Sequence, residues 1–122
     1  MIQTFTTNLR RQGNLVIIDL SGEINAFADQ ELNNAYDQAE GYNPSTVAFN
    51  FMDVDYINST GIALLVGMLA RALKAKRRMA AYGLTDHYLE IFQITRLADF
   101  IKIYPDESSL LAEIQINNVS TG

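Results

Sequence analysis

The sequence predicts an α/β fold built on a mixed, mainly parallel β-sheet, with an N-terminal hairpin and about four α-helices. Three observations predict it. Two short strand-like runs near the N-terminus flank a turn signal, Gln12-Gly13-Asn14. Beyond them, β-branched and aromatic runs alternate with stretches of helical period, the arrangement that places parallel strands under crossover helices. The third is size and balance: 122 residues, 48% apolar and 19% charged, fit a single domain, 1–122, with a core of its own.

Each element has a local reason. Phe5, Thr7 and Leu9 alternate in the first strand, and Leu15-Val16-Ile17-Ile18-Asp19-Leu20 forms the second, closed by Ser21-Gly22-Glu23. From Ala28 to Glu40 the period turns helical, with Leu32, Ala35, Tyr36 and Ala39 on one face. Gly41 reads as the residue that ends this helix, with Pro44 as a stop. Thr46 to Met52 is apolar enough for a central strand, and Asp53 to Asn58 reads as a short polar connection. A second helix runs from Gly61 to about Ala75, with Ile62, Leu65, Val66, Leu69 and Leu73 inward and Ser59 or Thr60 as its cap. Gly67 inside that helix costs about 1 kcal/mol relative to alanine, so a close helix–sheet contact is expected there. Arg78 to Gly83 is a strand. Thr85 or Asp86 caps a third helix that turns Tyr88, Ile91 and Phe92 inward. Phe100 to Tyr104 is the last strand, Asp106-Glu107 opens a final helix, and residues from about 116 to 122 are expected to fray.

Composition removes whole classes of chemistry. No cysteine is present, which excludes disulfides, thiolate metal sites and a cysteine nucleophile. A single histidine, His87, leaves no multi-histidine metal site and argues against a Ser-His-Asp hydrolase. No metal, no cofactor and no enzymatic activity are therefore expected. The longest apolar stretch, Ile62 to Ala70, is interrupted by Gly67 and is too short to span a bilayer. No secretory signal is visible at the N-terminus, so a cytoplasmic protein without a membrane partner is expected. The net charge of −5 disfavours nucleic acid as a partner. Eight of the fourteen acids lie in residues 1–60, whereas Arg71, Lys74, Lys76, Arg77 and Arg78 hold five of the nine bases. That run reads as a solvated helix end facing the macrodipole, or else as a basic docking patch.

Three places could carry chemistry. Asp53 ends a strand, where a two-component receiver would hold its aspartyl phosphate. A receiver also needs an acidic cluster for Mg²⁺ and a lysine at the tip of the last strand. Ser21-Gly22-Glu23 offers one acid, and Lys102 falls in mid-strand. Ser59 and His87 sit on successive strand–helix loops, but no nucleophile elbow, P-loop or dinucleotide fingerprint supports them. The third is Ser59-Thr60-Gly61 at the start of an apolar helix. Unpaired N–H groups and about half a positive charge there favour a phosphate, and Gly61 lacks a Cβ that would crowd it.

The run Asn50-Phe51-Met52-Asp53-Val54-Asp55-Tyr56-Ile57-Asn58-Ser59-Thr60-Gly61-Ile62 resembles the signature of STAS domains, in particular the bacterial anti-sigma factor antagonists. Leu20-Ser21-Gly22-Glu23-Ile24-Asn25 is similar to a second family motif at the expected distance upstream. The resemblance extends from about Phe5 to Ile114 and implies the STAS fold. It also implies a phosphorylation-controlled binding module used in signal transduction and partner switching. Unphosphorylated, such a protein binds an anti-sigma factor that is also a serine kinase, and thereby regulates transcription. The implied phosphoacceptor is Ser59, and a PP2C-type phosphatase would restore the active form. Asn25, Asp53, Asp55, Tyr56, Ile57, Asn58, Thr60 and Gly61 form the expected partner-binding surface. For Tyr56 and Ile57, a half-exposed contact and a plug of the sheet edge are both open. Asn25 and Asn58 stand where the family carries aspartate, which lowers repulsion of a phosphate but removes acceptors that would orient the serine. Rival readings are a STAS subunit of a larger signalling scaffold without Ser59 phosphorylation, the aspartyl-phosphate receiver, and a nucleotide-binding domain.

Overall fold

Strands β1 (Thr6–Gln12) and β2 (Leu15–Ile24) form the expected antiparallel hairpin. Strands β3 (Thr46–Ile57), β4 (Arg78–Tyr82) and β5 (Ile101–Tyr104) add in parallel, so the sheet order is β1-β2-β3-β4-β5. Four helices complete the α/β arrangement: α1 (Asp29–Gly41), α2 (Ser59–Lys74), α3 (Asp86–Ile94) and α4 (Glu107–Ser120). A 3₁₀ turn, Ala26–Ala28, precedes α1. The structure, a computed structural model, describes residues 5–120, with side chains through residue 114. The backbone of α4 is helical to Ser120; residues 121 and 122 of the tail expected to fray lie outside the described residues.

Strand alternation sorts the sheet into two faces. Val16, Ile18, Leu20, Val47, Phe49 and Phe51 face α1, α2 and α3 and meet Leu32, Tyr36, Leu65, Met68, Tyr88 and Phe92 in the main core. Phe51 meets Phe92 edge-on at 5.9 Å, the preferred geometry for paired aromatic quadrupoles. Leu15, Ile17, Ala48, Ala80 and Tyr82 face α4 in a smaller cluster around Leu110. Full burial of each such side chain is worth about 1.5–3 kcal/mol, so the larger cluster dominates the placement of α1 to α3. Polar ties reinforce the smaller one. Arg10 on β1 donates to Asp19 at 2.8 Å and to Glu107 of α4 at 2.6 Å, and the Tyr82 hydroxyl donates to Glu107 at 2.5 Å. The hydrogen bonds from Arg10 and Tyr82 hold the Glu107 carboxyl below its ordinary pKa. Burial pushes Asp19 upward, but hydrogen bonds from Arg10, Asn50 and Asn8 outweigh it and leave Asp19 lowered as well.

The structure corrects several expectations. Ser21-Gly22-Glu23 does not end the second strand; β2 continues to Ile24, with register shifts against β3 at Asp19/Ser21 and Gly22/Glu23. Residues 53–57 are likewise strand rather than connection, since β3 runs to Ile57. They are polar because β4 pairs with β3 only as far as Asn50, so the rest of the strand lacks that neighbour. Helix α2 is rotated from the expected stripe: Gly61, Leu65, Met68, Leu69 and Ala72 are buried, while Val66 and Leu73 are about half exposed. Of its two glycines, only Gly61 lies against the sheet. Gly67 makes no close contact, since a Cβ there would meet nothing within 4 Å. Gly41 is still helical, and the left-handed residue after α1 is Asn43 at φ +51°, which its short polar side chain tolerates.

Candidate functional site

The site is built where β2 and β3 outlast the rest of the sheet. Gly22 pairs with Val54, Glu23 with Tyr56 and Ile24 with Ile57, which delivers the chain to Asn58 at the start of α2. Two buried contacts fix that corner. The Asn58 amide donates to the Ile24 carbonyl at 3.2 Å, and the Ile57 amide donates to the Tyr88 hydroxyl of α3 at 2.8 Å. Gly61 then passes so close to β2 that a Cβ would lie 2.1 Å from the Ile24 oxygen. This close approach, rather than room for a phosphate, is what requires glycine at 61.

The cap of α2 also differs from expectation. Neither Ser59 nor Thr60 is the N-cap. Asn58 takes that role in extended backbone conformation, its side-chain oxygen accepting from the Gly61 amide at 2.8 Å. Ser59 and Thr60 become the first two helical residues, and both are exposed. The first backbone bond of the helix runs from Ile62 to Asn58, so the amides of Ser59 and Thr60 have no helical carbonyl to bond. No acidic side chain occupies the first turn of α2. The Ser59 hydroxyl is therefore free of capping duty and stands at the positive end of a 16-residue helix.

Around Ser59 the surface mixes acids, amides and apolar groups. Asp53 and Asp55 are exposed on β3, and Tyr56 is 51% exposed. Ile57, by contrast, is buried in the main core, so it plugs the sheet edge, and Gly61 is buried against β2. Both are buried and hold the edge in shape from within. Asn25 is half-buried and accepts from the Phe27 amide at 2.9 Å, starting the 3₁₀ turn that packs against α2. Ser59, Thr60, Asn58, Asn25, Tyr56, Asp53 and Asp55 thus share the carboxyl edge of β2 and β3.

Two features of this edge were not read from sequence. Phe27 is 94% exposed at the 3₁₀ turn, an aromatic side chain with no core to fill. Its position outside the apolar stripe of α1 was the available signal. A groove of about 370 Å³ lies between α2 and α3, lined by Tyr56, Asn58, Ser59, Ile62, His87 and Ile91 among others. Ser59 and His87, each in the first turn of its helix, border this one groove. Thr85 caps α3 through the Tyr88 amide, and the His87 ring packs against Tyr88 at 4.9 Å.

The receiver alternative finds no matching site. Asp53 lies within β3, and among the described residues no group of three or more histidine and acidic side chains is placed to hold a metal ion. Lys102 stands on the exposed side of β5, paired with Glu113 at 3.1 Å. Among the described residues no helix is long and apolar enough to cross a membrane.

Comparison with known proteins gives the same picture. The chain is 27% identical over 86 residues to the anti-sigma-B factor antagonist of Listeria monocytogenes, covering 70% of this chain and 75% of that one. Its fold matches the crystal structure of an anti-sigma factor antagonist from Mycobacterium paratuberculosis with a TM-score of 0.78, at 17% identity, over 92% of this chain and 95% of the other. It also matches the Bacillus cell fate determinant SpoIIAA in its phosphorylated form, with a TM-score of 0.70 at 18% identity, over 89% and 99% of the two chains. The model of the STAS domain family matches residues 6–110, from the first strand into α4, and this chain belongs to that family.

Proposed function

We propose that this chain is an anti-sigma factor antagonist, a non-enzymatic binding module switched by phosphorylation of Ser59. In the unphosphorylated form its carboxyl-edge surface sequesters an anti-sigma factor that is also a serine kinase, and so frees a sigma factor for transcription. That kinase phosphorylates Ser59, and a PP2C-type phosphatase reverses the modification. Asn25, Asp53, Asp55, Tyr56, Asn58 and Thr60 contact the partner, while Ile57 and Gly61 hold the edge in shape.

The observation that carries this reading is the state of the Ser59 hydroxyl. It is exposed, it has no capping role, and it heads a helix whose first-turn amides favour an anion. The fold neighbour SpoIIAA is known in a phosphorylated form, which supports the same chemistry. The mechanism needs no conformational change. A phosphate adds about −1.5 to −2 charges to an edge that already bears Asp53 and Asp55. Desolvating that charge against a partner costs several kcal/mol unless the partner supplies cations. A loss of about 3 kcal/mol lowers affinity more than a hundredfold.

Incubation with the cognate kinase and ATP, followed by intact mass, tests the reading. One phosphate is expected on the wild type and none on Ser59→Ala. Ser59→Asp should lose about a hundredfold in kinase affinity while its melting temperature stays near wild type, because the position carries no cap. Equal binding by Ser59→Asp and wild type would refute the charge block. The neutral Asn25 and Asn58 favour one other reading, an unswitched STAS subunit of a larger scaffold. A large complex in native mass spectrometry, with Ser59 unmodified by the kinase, would establish that reading instead.

A further inference from the structure

We propose that the groove at the amino edge of β4 and β5, at the opposite end of the sheet from Ser59, is a second docking surface whose occupant is an acidic polypeptide segment carrying an apolar anchor. The groove holds about 360 Å³ and opens where α2 ends and β4 and β5 begin. Its apolar part includes buried Met79 and Ile101, flanked by Leu73 and Phe100, which are 50% and 56% exposed. Two large apolar side chains left half in water beside a concavity make a receptor for an anchor residue.

Charge selects the occupant. Arg78 and Lys102 line the groove, Lys102 already paired with Glu113, and Lys74 and Lys76 stand at the end of α2 beside Leu73. None of the ion pairs among the described residues includes Lys74, Lys76 or Arg78. Arg71, from the same basic run, is different: it is committed to Asp37 and Glu40 and lies over the Tyr36 ring. The one acid lining the groove, Asp99, already pairs with Arg96 at 2.6 Å. On a protein of net charge −5, this end is locally cationic, whereas the Ser59 edge carries Asp53 and Asp55. Cations around an apolar concavity match carboxylates flanking an aromatic or aliphatic anchor. A nucleic acid would use the cations but leave Leu73, Phe100 and the concavity unused, and a flat membrane surface would leave the concavity unfilled. Because the two ends are separate, occupancy here is independent of the state of Ser59.

The test is selection of a phage-displayed random dodecapeptide library on the full chain, followed by fluorescence anisotropy of a labelled selected peptide. Enriched peptides should be rich in Asp and Glu around Phe, Trp or Leu. Affinity should fall at least about tenfold in Phe100→Ala and in Lys74→Glu/Lys76→Glu, and stay within about twofold in Ser59→Asp. Melting curves and circular dichroism of the charge-reversal variant, which changes only exposed side chains, confirm that it is folded. Enrichment without acidic bias would overturn the proposal, as would affinities indifferent to both variants. Displacement of the peptide by oligo-dT, or by phosphatidylserine vesicles at lower concentration than unlabelled peptide, would overturn it in favour of a nucleic acid or a lipid surface.

Discussion

Two glycines in one helix should respond to the same substitution with opposite signs. In Gly61→Ala the new Cβ would sit 2.1 Å from the Ile24 oxygen and 2.9 Å from both the Ile24 carbon and Ile57 Cγ2. Two of those three atoms are backbone of β2 where it pairs with β3 at Ile57, so the first turn of α2 must retreat. Overpacking of this kind costs about 1–3 kcal/mol, and stretching the Asn58–Ile24 hydrogen bond adds about 1 kcal/mol. The intrinsic helix gain of alanine returns about 1 kcal/mol, leaving a net loss of about 1–3 kcal/mol. At about 4 °C per kcal/mol for a chain of this size, the melting temperature should drop by about 4–12 °C. In Gly67→Ala nothing lies within 4 Å of the new atom, so only the helix gain remains and the melting temperature should rise by about 4 °C. Thermal melts followed by circular dichroism, checked by urea midpoints at unchanged slope, measure both. Shifts of the same sign, or a Gly61→Ala protein as stable as wild type, would refute the close-approach argument.

Other outcomes follow from the same corner and from the second face. Asn58→Ala should cost about 1 kcal/mol in urea unfolding through loss of the cap, whereas Asn58→Asp should keep it, since either side chain accepts from the Gly61 amide. Tyr88→Phe strands the buried Ile57 amide and should cost about 1–3 kcal/mol, with faster hydrogen exchange at that amide as the diagnostic. Asp19 and Glu107 both titrate below their ordinary 3.8 and 4.5 in the folded state, so the stability they contribute is full above those values. It should be lost as pH falls through 4.5 and below. Arg10→Met should flatten that acid limb, by no more than about 1 kcal/mol per pair because the groups are partly in water.

Much of this was legible in the residues. Alternation in β1, apolar runs in the other strands and helical spacing place the five strands and four α-helices, and Leu32, Ala35, Tyr36 and Ala39 are the buried face of α1 as their spacing predicts. The errors cluster where tertiary context decides. Asp53-Val54-Asp55-Tyr56 looks like a loop because strand polarity is read against a sheet neighbour, and here β4 has already ended. Ser59 and Thr60 look like caps because hydroxyls cap well, yet Asn58 caps equally well and sits one residue earlier. Which of three adjacent capping residues takes the role depends on where β3 releases the chain, set by the Ile24–Asn58 and Ile57–Tyr88 bonds. Gly67 was misread for a related reason. Helix propensity gives the cost of a glycine but not the distance to the next element.

The overrun of β2 and β3 beyond β4 has a mechanical consequence. The last β3–β4 pair is Asn50 with Tyr82, and residues 51–57 carry the chain onward for roughly 20 Å at strand rise. Ser59 thus stands at the carboxyl edge, past the end of β4, on a segment anchored by Ile57 in the core and braced by Tyr88 and Asn58. If Ser59 carries the proposed phosphate, the mark can be added and removed with little effect on the folded architecture.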